Sequence, residues 1–445
     1  MKKLFVFLCV AGLIAASASP LFAGGIDNKT NWSAEYIRTL NRNAATDSAD
    51  IVSYNPAGVM KMEDGLFGNL SVQYINKDYT NKVDGTDLDS TEPSFLPGLF
   101  ALYKQDKWAG FFAFTIPGGG GYVDFKDGDY TTTVGGALVN MTADRTMDAT
   151  IQAMGGPAAP LGTYYGTIAS QHIEGESYYY GFTIGGAYEI NDIFSVSLAA
   201  RYIDAYKESK GALTASPTAV GAALGAPSIT GNVDYEEEAD GWGGIIGVNI
   251  APSSELNIGL RYETKTGLDF DQKVNTDNLG LLPSLGVNDG ASVSRDLPAI
   301  LGLGLSYKFT PKIRVETNFT LYLNSDAGWT DTAPTSRDPS DVDNGYDLGI
   351  AVEYTFNNKM KGSLGYLHTD TGIEAKNMLP ESPELNANTI GAGVAYEAIP
   401  GMILNFSLGN AFYEDDSFVS AITGAEVEYQ KNNFFLAFGI QYKFM

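Results

Sequence analysis

Cysteine and histidine are almost absent from the sequence, which limits the chemistry it can perform. The single cysteine is Cys9, near the N-terminus, and the two histidines are His172 and His368. One cysteine excludes a disulfide framework, and no residue spacing typical of a zinc site is present. Neither histidine has a serine and an acid arranged for nucleophilic catalysis, and there is no glycine-rich phosphate-binding loop. We therefore expect no enzymatic activity, no cofactor and no metal.

Long apolar runs and positive charge are also scarce. After the first 23 residues, no apolar run approaches the roughly 18 residues of a membrane-spanning helix. The 28 basic residues are outnumbered by 53 acidic ones, giving a net charge of −25, and this excess argues against nucleic acid as a partner. The acidic run Glu236–Glu238, followed by Asp240, is compatible with a cation site near lipopolysaccharide or with a solvated strand end, and we favour the second.

The N-terminus, Met1–Ala23, has the features of a secretory signal peptide. Two lysines precede an apolar run, Leu4–Ala16, and small residues follow it. The run is too short to anchor the chain in a membrane. Cleavage after Ala23 and cleavage after Ala18 both match the small-residue pattern, and we favour Ala23. The chain is thus predicted to be exported.

The next segment, Gly24–Gly65, is rich in Asn, Asp, Ser, Thr and Ala and has no alternating pattern. Ser33–Asn43 is predicted to form a short helix with Ser33 as its N-cap, the alternative being a disordered arm. A turn signal, Asn55-Pro56-Ala57-Gly58, lies near its end, because Asn-Pro favours turns and proline removes a backbone donor. A compact non-strand segment ahead of many strands is predicted to be a plug inside a barrel.

From residue 66 to residue 445 the chain alternates large apolar residues with small or polar ones. The clearest example is Ala299–Phe309, and the same period of two occurs in Leu256–Glu263, Ile313–Leu323, Tyr346–Phe356 and Phe434–Phe444. Such strands exceed the length of about 5–6 residues usual in soluble sheets and match the roughly 9–11 residues that cross a bilayer. An apolar face opposite a small or polar face predicts a membrane barrel with a polar lumen.

The connections between the strands alternate between tight turns and long polar segments. Tight turns are predicted around residues 106, 192, 253, 311, 358 and 400. Long loops are predicted at Lys77–Pro93, Tyr122–Glu174, Glu208–Ile229, Lys273–Val293, Asp326–Asn344, Thr369–Glu384 and Glu414–Glu426. Six turns alternating with seven loops require fourteen strands and place both ends of the barrel on the tight-turn side. The predicted fold is all-β, a 14-stranded antiparallel transmembrane β-barrel with an N-terminal plug.

Three segments resemble the FadL/TodX family of outer-membrane transporters of long-chain fatty acids and aromatic hydrocarbons. Arg42–Gly65 (RNAATDSADIVSYNPAGVMKMEDG) resembles that family's plug, with Asn55-Pro56-Ala57 in the place of its NPA motif. Trp108–Gly121 (WAGFFAFTIPGGGG) resembles its third strand and glycine-rich kink. Asp296–Ala299 is similar to the start of its eighth strand. The resemblance extends over the whole mature chain.

The resemblance implies passive uptake of long-chain fatty acids or similar hydrophobic compounds across the bacterial outer membrane. Substrate would dock in an apolar groove on the long loop Tyr122–Glu174, pass to a pocket beside the plug and leave sideways into lipid. The exit is expected at a kink formed by Pro117, Gly118, Gly119, Gly120 and Gly121. Proline and glycine weaken strand pairing, and a hydrocarbon tail favours lipid over a wet channel by about 0.8 kcal/mol per methylene.

Eight residues are candidates for contact with the ligand. They are Phe111, Ala113 and Thr115 on the kinked strand, Leu138, Met141 and Met147 on the long loop, and Arg201 and Lys207 in the lumen. Strand parity turns the first three inward, and flexible methionines adapt to varied tails. The two bases would meet a carboxylate head group, the alternative being that they pair with lumen acids such as Glu263.

The expected partners follow from this reading of the chain. They are a hydrophobic small molecule (a fatty acid, a hydrocarbon or a detergent that mimics one), outer-membrane lipid and lipopolysaccharide, and the barrel assembly machinery. Both termini are expected in the periplasm. Two other functions stay open, namely a structural or adhesive barrel that binds a partner through its outer loops, and a diffusion porin, which the plug argues against.

Overall fold

The computed structural model describes residues 33–327 and 342–444. The predicted signal peptide Met1–Ala23 with both cleavage positions, the start of the predicted plug (24–32), and the middle of the predicted loop Asp326–Asn344 lie outside the described residues. In the part of the chain that is described, one closed sheet surrounds the N-terminal segment.

Within the described residues, fourteen antiparallel strands form the sheet, and four of them are interrupted once. The strands are β1 Gly65–Val83, β2 Thr86–Ser90 continued by Ser94–Gln105, β3 Trp108–Phe125, β4 Tyr165–Glu189, β5 Phe194–Pro217, β6 Ile229–Ile250, β7 Leu256–Glu263 continued by Asp269–Asp277, β8 Ser292–Ser294 continued by Ala299–Thr310, β9 Ile313–Leu323, β10 Gly345–Asn357, β11 Met360–Asp370, β12 Ala387–Ile399, β13 Met402–Tyr413 continued by Asp416–Val419, and β14 Glu426–Lys443. The sheet closes because β1 pairs with both β2 and β14. The predicted fourteen-stranded barrel is confirmed.

The two faces of the wall follow the alternation in the sequence. On β8, Leu301, Leu303 and Leu305 are exposed on the outside, whereas Gly304 and Ser306 are buried on the lumen side. Apolar surface gains about 25 cal/mol per Å² when it leaves water, so an outer surface of this kind is suited to lipid. The alternation therefore predicted both the strands and the side of the wall that each residue occupies.

The six predicted tight turns lie at one end of the barrel, called here the tight-turn end. The barrel begins and ends there as well, since Gly65 pairs with Lys104 and Phe67 pairs with Lys443. Exposed aromatic side chains precede five of these turns, at Tyr103, Tyr188, Phe309, Phe356 and Tyr396. The opposite end, which carries the longer connections, is the loop end.

Much of what the sequence predicted as long loops is regular structure. The predicted loop Lys77–Pro93 is a hairpin, in which β1 and β2 are joined by Asp84 and Gly85. Both residues have positive φ, 46° and 79°, which matches the turn to the twist of the strands. β5 likewise extends to Pro217, well into the predicted loop Glu208–Ile229. The apolar alternation fades in these extensions because neither face of a strand meets lipid outside the bilayer.

The largest difference is a helix of 24 residues, α2 (Tyr130–Ala153), inside the predicted loop Tyr122–Glu174. Asp129 caps it, accepting a hydrogen bond from the Thr132 N–H at 2.8 Å while its own N–H donates to the Thr132 hydroxyl. Glycines and threonines weaken the helix signal in the sequence. A short helix, α3 (Ala219–Ala223), lies in the next connection. Among the described residues, no helix is both long and apolar enough to cross a membrane.

The described part of the N-terminal segment, residues 33–64, lies inside the barrel and is called here the plug. It consists of α1 (Ala34–Thr39) and two 3₁₀ helices, Ala49–Ser53 and Pro56–Lys61. Between them these elements contact β1 to β7 and β10 to β14. The predicted N-cap is confirmed, since the Ser33 hydroxyl accepts a hydrogen bond from the Tyr36 N–H at 2.9 Å. The helix ends earlier than predicted, because the residue after Thr39 adopts a left-handed conformation.

Candidate functional site

Buried hydrogen bonds hold the first helix of the plug against the wall. Glu35 of α1 accepts hydrogen bonds from the side chains of Asn69 on β1 at 2.7 Å and Asn405 on β13 at 2.9 Å. The backbone N–H of Ala34 donates to the hydroxyl of Ser71 at 2.7 Å. The polar lumen residues that the alternation predicted are thus the partners of the plug.

The Asn55–Gly58 motif forms the turn into the last 3₁₀ helix of the plug and binds the wall. The amide nitrogen of Asn55 donates to Asn249 on β6 at 2.8 Å, and the hydroxyl of Ser195 on β5 donates to the carbonyl of Ala57 at 2.8 Å. A Cβ on the final glycine would lie 2.3 Å from the side-chain nitrogen of Asn55. Pro56 begins the 3₁₀ helix. The motif therefore fastens the plug to β5 and β6.

An ion-pair network joins the plug to β10 and β11. Arg38 reaches Glu353 of β10 at 2.5 Å, and Lys361 of β11 reaches Asp47 of the plug at 2.6 Å. Arg42 pairs with the same aspartate at 2.8 Å, and both arginine side chains are buried. Removing one partner of a buried pair costs about 3–5 kcal/mol, so the network fixes the position of the plug.

The glycine-rich stretch of β3 is irregular. Thr115 of β3 pairs with Gly181 of β4, and Gly121 pairs with Ser177. Between these two pairs β3 contains two more residues than β4, and the register shifts twice. Gly119 and Gly121 have φ values of 86° and 75°, which residues with a Cβ rarely adopt. The strand is thereby bent at the position that the sequence indicated.

The same irregularity interrupts the backbone pairing between β2 and β3. In the described part of the chain, pairing between these strands ends at Leu99 opposite Phe114, although β2 continues to pair with β1 as far as Ser94. Further toward the loop end, the hydroxyl of Ser90 accepts a hydrogen bond from the Asp124 N–H at 3.0 Å. The unpaired stretch between these points is called here the lateral gap.

Apolar side chains stand on both sides of the lateral gap. On the inner side Ile75, Leu96 and Ile116 are buried in one cluster with Tyr36, Ile37 and Leu40 of the plug, the plug-side cluster. On the outer side Phe95 of β2 is 63% exposed, and Phe114 stands on the edge formed by β3. The amine of Lys77 and the hydroxyl of Ser94 are polar groups among them on the inner side.

A second apolar cluster fills the loop end of the barrel, and it is called here the outer cluster. Its members include Val134 and Leu138 of α2, Tyr179 of β4, Ile203 of β5, Phe270 of β7 and Tyr429 of β14. Tyr413 of β13 packs against both the outer cluster and the plug-side cluster. Apolar contacts therefore lead from the loop end to the lateral gap.

An apolar cleft opens beside the outer cluster, between α2 and the inner faces of β4 to β6. It is lined by Leu138 of α2, Ile173 of β4, Leu213 of β5, Val233 of β6 and Leu282 of the connection between β7 and β8. Leu138 belongs to both the cleft and the outer cluster. A ligand in the cleft would thus touch the start of the apolar route.

Comparison with known proteins gives the family. The family model for outer membrane protein transport proteins (OMPP1/FadL/TodX) matches residues 14–444. The chain belongs to this family. It is therefore an outer-membrane transport protein for hydrophobic compounds and not an enzyme. A search of curated proteins found no match.

Solved structures of FadL/TodX proteins share the fold. The P. putida toluene transporter TodX is 14% identical with a TM-score of 0.60, over 90% of this chain and 96% of that one. A Pseudomonas aeruginosa FadL homologue is 15% identical with a TM-score of 0.63, over 96% and 100%. The Ralstonia pickettii toluene transporter TbuX is 17% identical with a TM-score of 0.57, over 90% and 95%.

The three predicted ligand contacts on the long loop of this FadL/TodX protein all lie on α2. Leu138 lines the cleft, and Met141 packs against the outer cluster. Met147 lies further along the helix and packs against Tyr164 and Tyr165. The structure thus brings two of the three residues to the apolar route and places the third outside it.

Phe111, Ala113 and Thr115 point into the lumen, as strand parity indicated. Phe111 and Ala113 share a cluster with Val52 and Val59 of the plug. They contact the plug instead of lining an open pocket. Their contact with a ligand remains a prediction that requires the plug to move.

The two lumen bases differ in their surroundings. Arg201 pairs with Glu263 at 2.9 Å and donates to the Thr183 hydroxyl at 3.1 Å, which favours the structural alternative for this residue. The Lys207 amine lies 4.1 Å from the ring centre of Phe270 and 5.4 Å from that of Tyr179. A cation among the aromatic rings of the outer cluster suits an amphipathic ligand, and this role of Lys207 remains a prediction.

Two buried acids lie where α2 begins. Asp129 caps the helix, and the Thr131 hydroxyl donates to Glu381, in the connection between β11 and β12, at 3.5 Å. Burial raises the pKa of Asp129 to about 6. Burial and the neighbouring Asp129 carboxylate raise the pKa of Glu381 well above its usual value. We therefore expect the packing of α2 at the loop end to depend on pH.

We expect α2 to be held more firmly at pH 4.5 than at pH 7.5. A raised pKa in the folded state contributes stability that is complete below the unfolded pKa of about 4 and is lost as the pH rises through about 6. The opening free energy of the helix should fall by on the order of 1–3 kcal/mol over this window. Hydrogen exchange of the α2 amides, corrected for the intrinsic exchange rates at each pH, measures this opening free energy.

The variant Asp129→Asn keeps the cap but cannot titrate, so its exchange should depend less on pH. The exposed neighbour Asp127→Asn serves as the control and should behave as the unmodified chain. Equal pH dependence in both variants would show that burial of Asp129 does not govern the packing of α2.

Proposed function

We propose that the protein takes up long-chain fatty acids or similar hydrophobic compounds passively across the bacterial outer membrane. The substrate binds first in the cleft beside α2, moves along the outer cluster to the plug-side cluster, and leaves through the lateral gap into the bilayer. In this proposal the loop end faces the outside, and the tight-turn end faces the periplasm. The surrounding lipid, lipopolysaccharide and the assembly machinery are the other expected partners.

The unpaired stretch of β2 and β3 beyond Leu99 and Phe114 carries the proposal. An unsatisfied backbone group facing lipid costs several kcal/mol, so a barrel that served only as a wall would gain stability by pairing there. The two glycines with positive φ keep β3 bent away from such pairing. Maintaining the gap is thus consistent with its use as an exit.

The distribution of polarity supports a sideways exit over passage straight through the barrel. At the tight-turn end the plug borders a cavity of about 520 Å³ whose lining includes Asp47, Lys361 and Lys443. A hydrocarbon tail that entered such a cavity would lose about 0.8 kcal/mol for each methylene exposed to water. The lateral gap, in contrast, is bordered mainly by apolar side chains, with Lys77 and Ser94 as the polar groups on its inner side.

The names of the solved structures that share this fold agree with a hydrophobic cargo. Two of them are named toluene transporters and one a FadL homologue. An adhesive barrel that binds a partner through its loops is the alternative function. It would leave the apolar route and the lateral gap without a purpose.

Uptake of radiolabelled oleate by cells that lack their own transporter tests the proposal. Expression of the full chain should raise uptake above that of the empty vector. Leu138→Arg places a charge in the cleft and should lower uptake about tenfold or more, because burying an unpaired charge is costly. Ala149→Arg, on the exposed side of the same helix, is the matched control and should leave uptake unchanged.

Native mass spectrometry of the purified barrel provides a second measurement, because a transporter of this kind should retain hydrophobic molecules. Absence of uptake by the full chain, together with binding of a macromolecular partner by its loops, would favour the adhesive alternative.

A further inference from the structure

A lysine stands at the inner edge of the lateral gap. Lys77 of β1 is 3% exposed, and its amine donates to the carbonyl oxygens of Gly120 at 2.8 Å and Tyr122 at 2.5 Å on β3. The hydroxyl of Ser94 on β2 lies 3.5 Å from the same Gly120 carbonyl. The Lys77 amine thus ties the bent part of β3 to β1 across the inner side of the gap.

Glycine allows this close approach. A Cβ on Gly121 would lie 2.2 Å from the hydroxyl oxygen of Ser94 and 3.6 Å from the Lys77 amine. Any larger residue there would push the backbone of β3 away from the lysine. The bend in β3 and the position of Lys77 therefore depend on each other.

In the described part of the chain Lys77 makes no close ion pair, and Glu92 is the acid that acts on its amine from a distance. Within residues 33–327 and 342–444, no carboxylate lies within 4 Å of its amine. A second buried lysine, Lys431 of β14, lies nearby, since the two amines are 5.9 Å and 4.6 Å from the ring centre of Tyr79. When it is protonated, a buried amine that is held by neutral carbonyls next to a second buried lysine attracts an anion strongly.

We propose that Lys77 binds the carboxylate of the cargo at the lateral gap, so that the preferred cargo is an amphipathic carboxylate and not a neutral hydrocarbon. This inference rests on the proposed uptake function. The bonds from Lys77 to the carbonyls already have a charged donor, but a carboxylate adds the attraction of its own negative charge. A carboxylate that reaches the gap therefore takes the Lys77 amine from Gly120 and Tyr122.

Two consequences follow from this exchange of partners. The head group is held at the inner edge of the gap while the tail lies between Phe95 and Phe114, facing lipid. The bent part of β3 loses its tie to β1 at the same moment. Binding of the cargo thus loosens the edge of the gap through which the tail leaves.

Comparing a carboxylate with its neutral analogue tests the inference. Uptake of oleate and of oleyl alcohol is measured in cells expressing the full chain, Lys77→Met, Lys77→Arg, or the control Lys82→Met on the outer face of the same strand. Lys77→Met should lose about tenfold or more of the oleate uptake, as expected for one charge-assisted hydrogen bond. Oleyl alcohol carries no charge and loses no charge-assisted hydrogen bond, so its uptake by Lys77→Met should change less than about twofold.

Lys77→Arg should restore most of the oleate uptake, and Lys82→Met should behave as the unmodified chain. An equal loss of both probes in Lys77→Met, or no loss of either, would overturn the role of Lys77 while leaving the uptake function in place. If the unmodified chain takes up neither probe, the proposed function fails and the inference fails with it. Should Lys77→Met not assemble, Lys77→Gln replaces it.

Discussion

Deleting Gly119 and Gly120 should seal the barrel wall and abolish uptake of hydrophobic cargo. Between Thr115 and Gly121 β3 has five intervening residues, whereas β4 has three between their partners Gly181 and Ser177. Removing two residues therefore allows β3 to pair with β4 without a register shift. Because side chains alternate with a period of two, every later side chain of β3 keeps its side of the wall.

The size of the effect follows from the loss of the apolar exit. A regular β3 could also pair with β2 beyond Leu99, which would close the lateral gap. Cargo would then have to cross the polar cavity at the tight-turn end. Exposing four methylenes to water on that path costs about 3 kcal/mol, which corresponds to roughly a 100-fold lower rate.

The initial rate of oleate uptake measures this prediction, with the amount of assembled barrel determined by its heat-dependent mobility in gels. A deletion of Leu224 and Gly225, which lie exposed in the connection between β5 and β6, is the matched control. Normal uptake by the barrel lacking Gly119 and Gly120 would rule out the lateral gap as the route.

The wall could be predicted from the sequence because each strand carries its own signal. The outward residues of Ile313–Leu323 must be apolar wherever they meet lipid, and that requirement does not depend on the rest of the chain. The tight turns are equally local, since residues such as Asp106 and Gly401 adopt positive φ in them. Strand number and closure follow from these two local signals together.

The lining of the lateral gap carries a signal that the sequence analysis did not use. On β1 the inward positions Asn69, Ser71 and Gln73 are polar, whereas the next inward position, Ile75, is apolar. On β2 the inward Leu96 belongs to the same cluster as Ile75, whereas the inward Phe100 and Leu102 pack with the 3₁₀ helices of the plug. An apolar lumen residue thus indicates either the plug-side cluster or a contact with the plug, and the parity argument pointed to residues of the second kind.

Other features could not be predicted because they depend on distant parts of the chain. The partners Arg38 and Glu353 are 315 positions apart, and no local pattern pairs them. The helix α2 is stabilised by packing against β4 and β5, which compensates for its glycines. Asp129 and Thr132 did offer a capping signal, although a cap alone does not establish a helix of this length.

Removing residues 24–64 should convert the barrel into an open pore for polar solutes. Residues 33–64, the described part of this segment, lie in the lumen, where Arg38 and Arg42 are buried among wall residues. Once the plug is removed, water can reach the polar residues that it covered, such as Asn69 and Asn405. Because Tyr413 packs against both the plug-side cluster and the outer cluster, removing the plug also loosens the apolar packing at the loop end. A barrel of this size then encloses an aqueous channel, and conductance should rise by about tenfold or more.

The wall should survive the loss of its plug. Glu353 and Lys361 lose their plug partners but are 3.3 Å from each other, and hydration lowers the cost of their charges. Conductance across planar bilayers is the measurement. Glu63→Gln, at the exposed end of the plug, is the control, because its surface pair with Lys443 is worth only about 0–1 kcal/mol.

Combining the two deletions separates the polar path from the apolar one. A barrel without its plug should conduct polar solutes whether or not Gly119 and Gly120 are present, because that path runs along the lumen. Oleate uptake through the lateral gap should still require the bent β3. Two results would contradict this separation of the paths by the plug. One is loss of conductance when Gly119 and Gly120 are deleted from the barrel without its plug, and the other is a barrel that stays closed after the plug is removed.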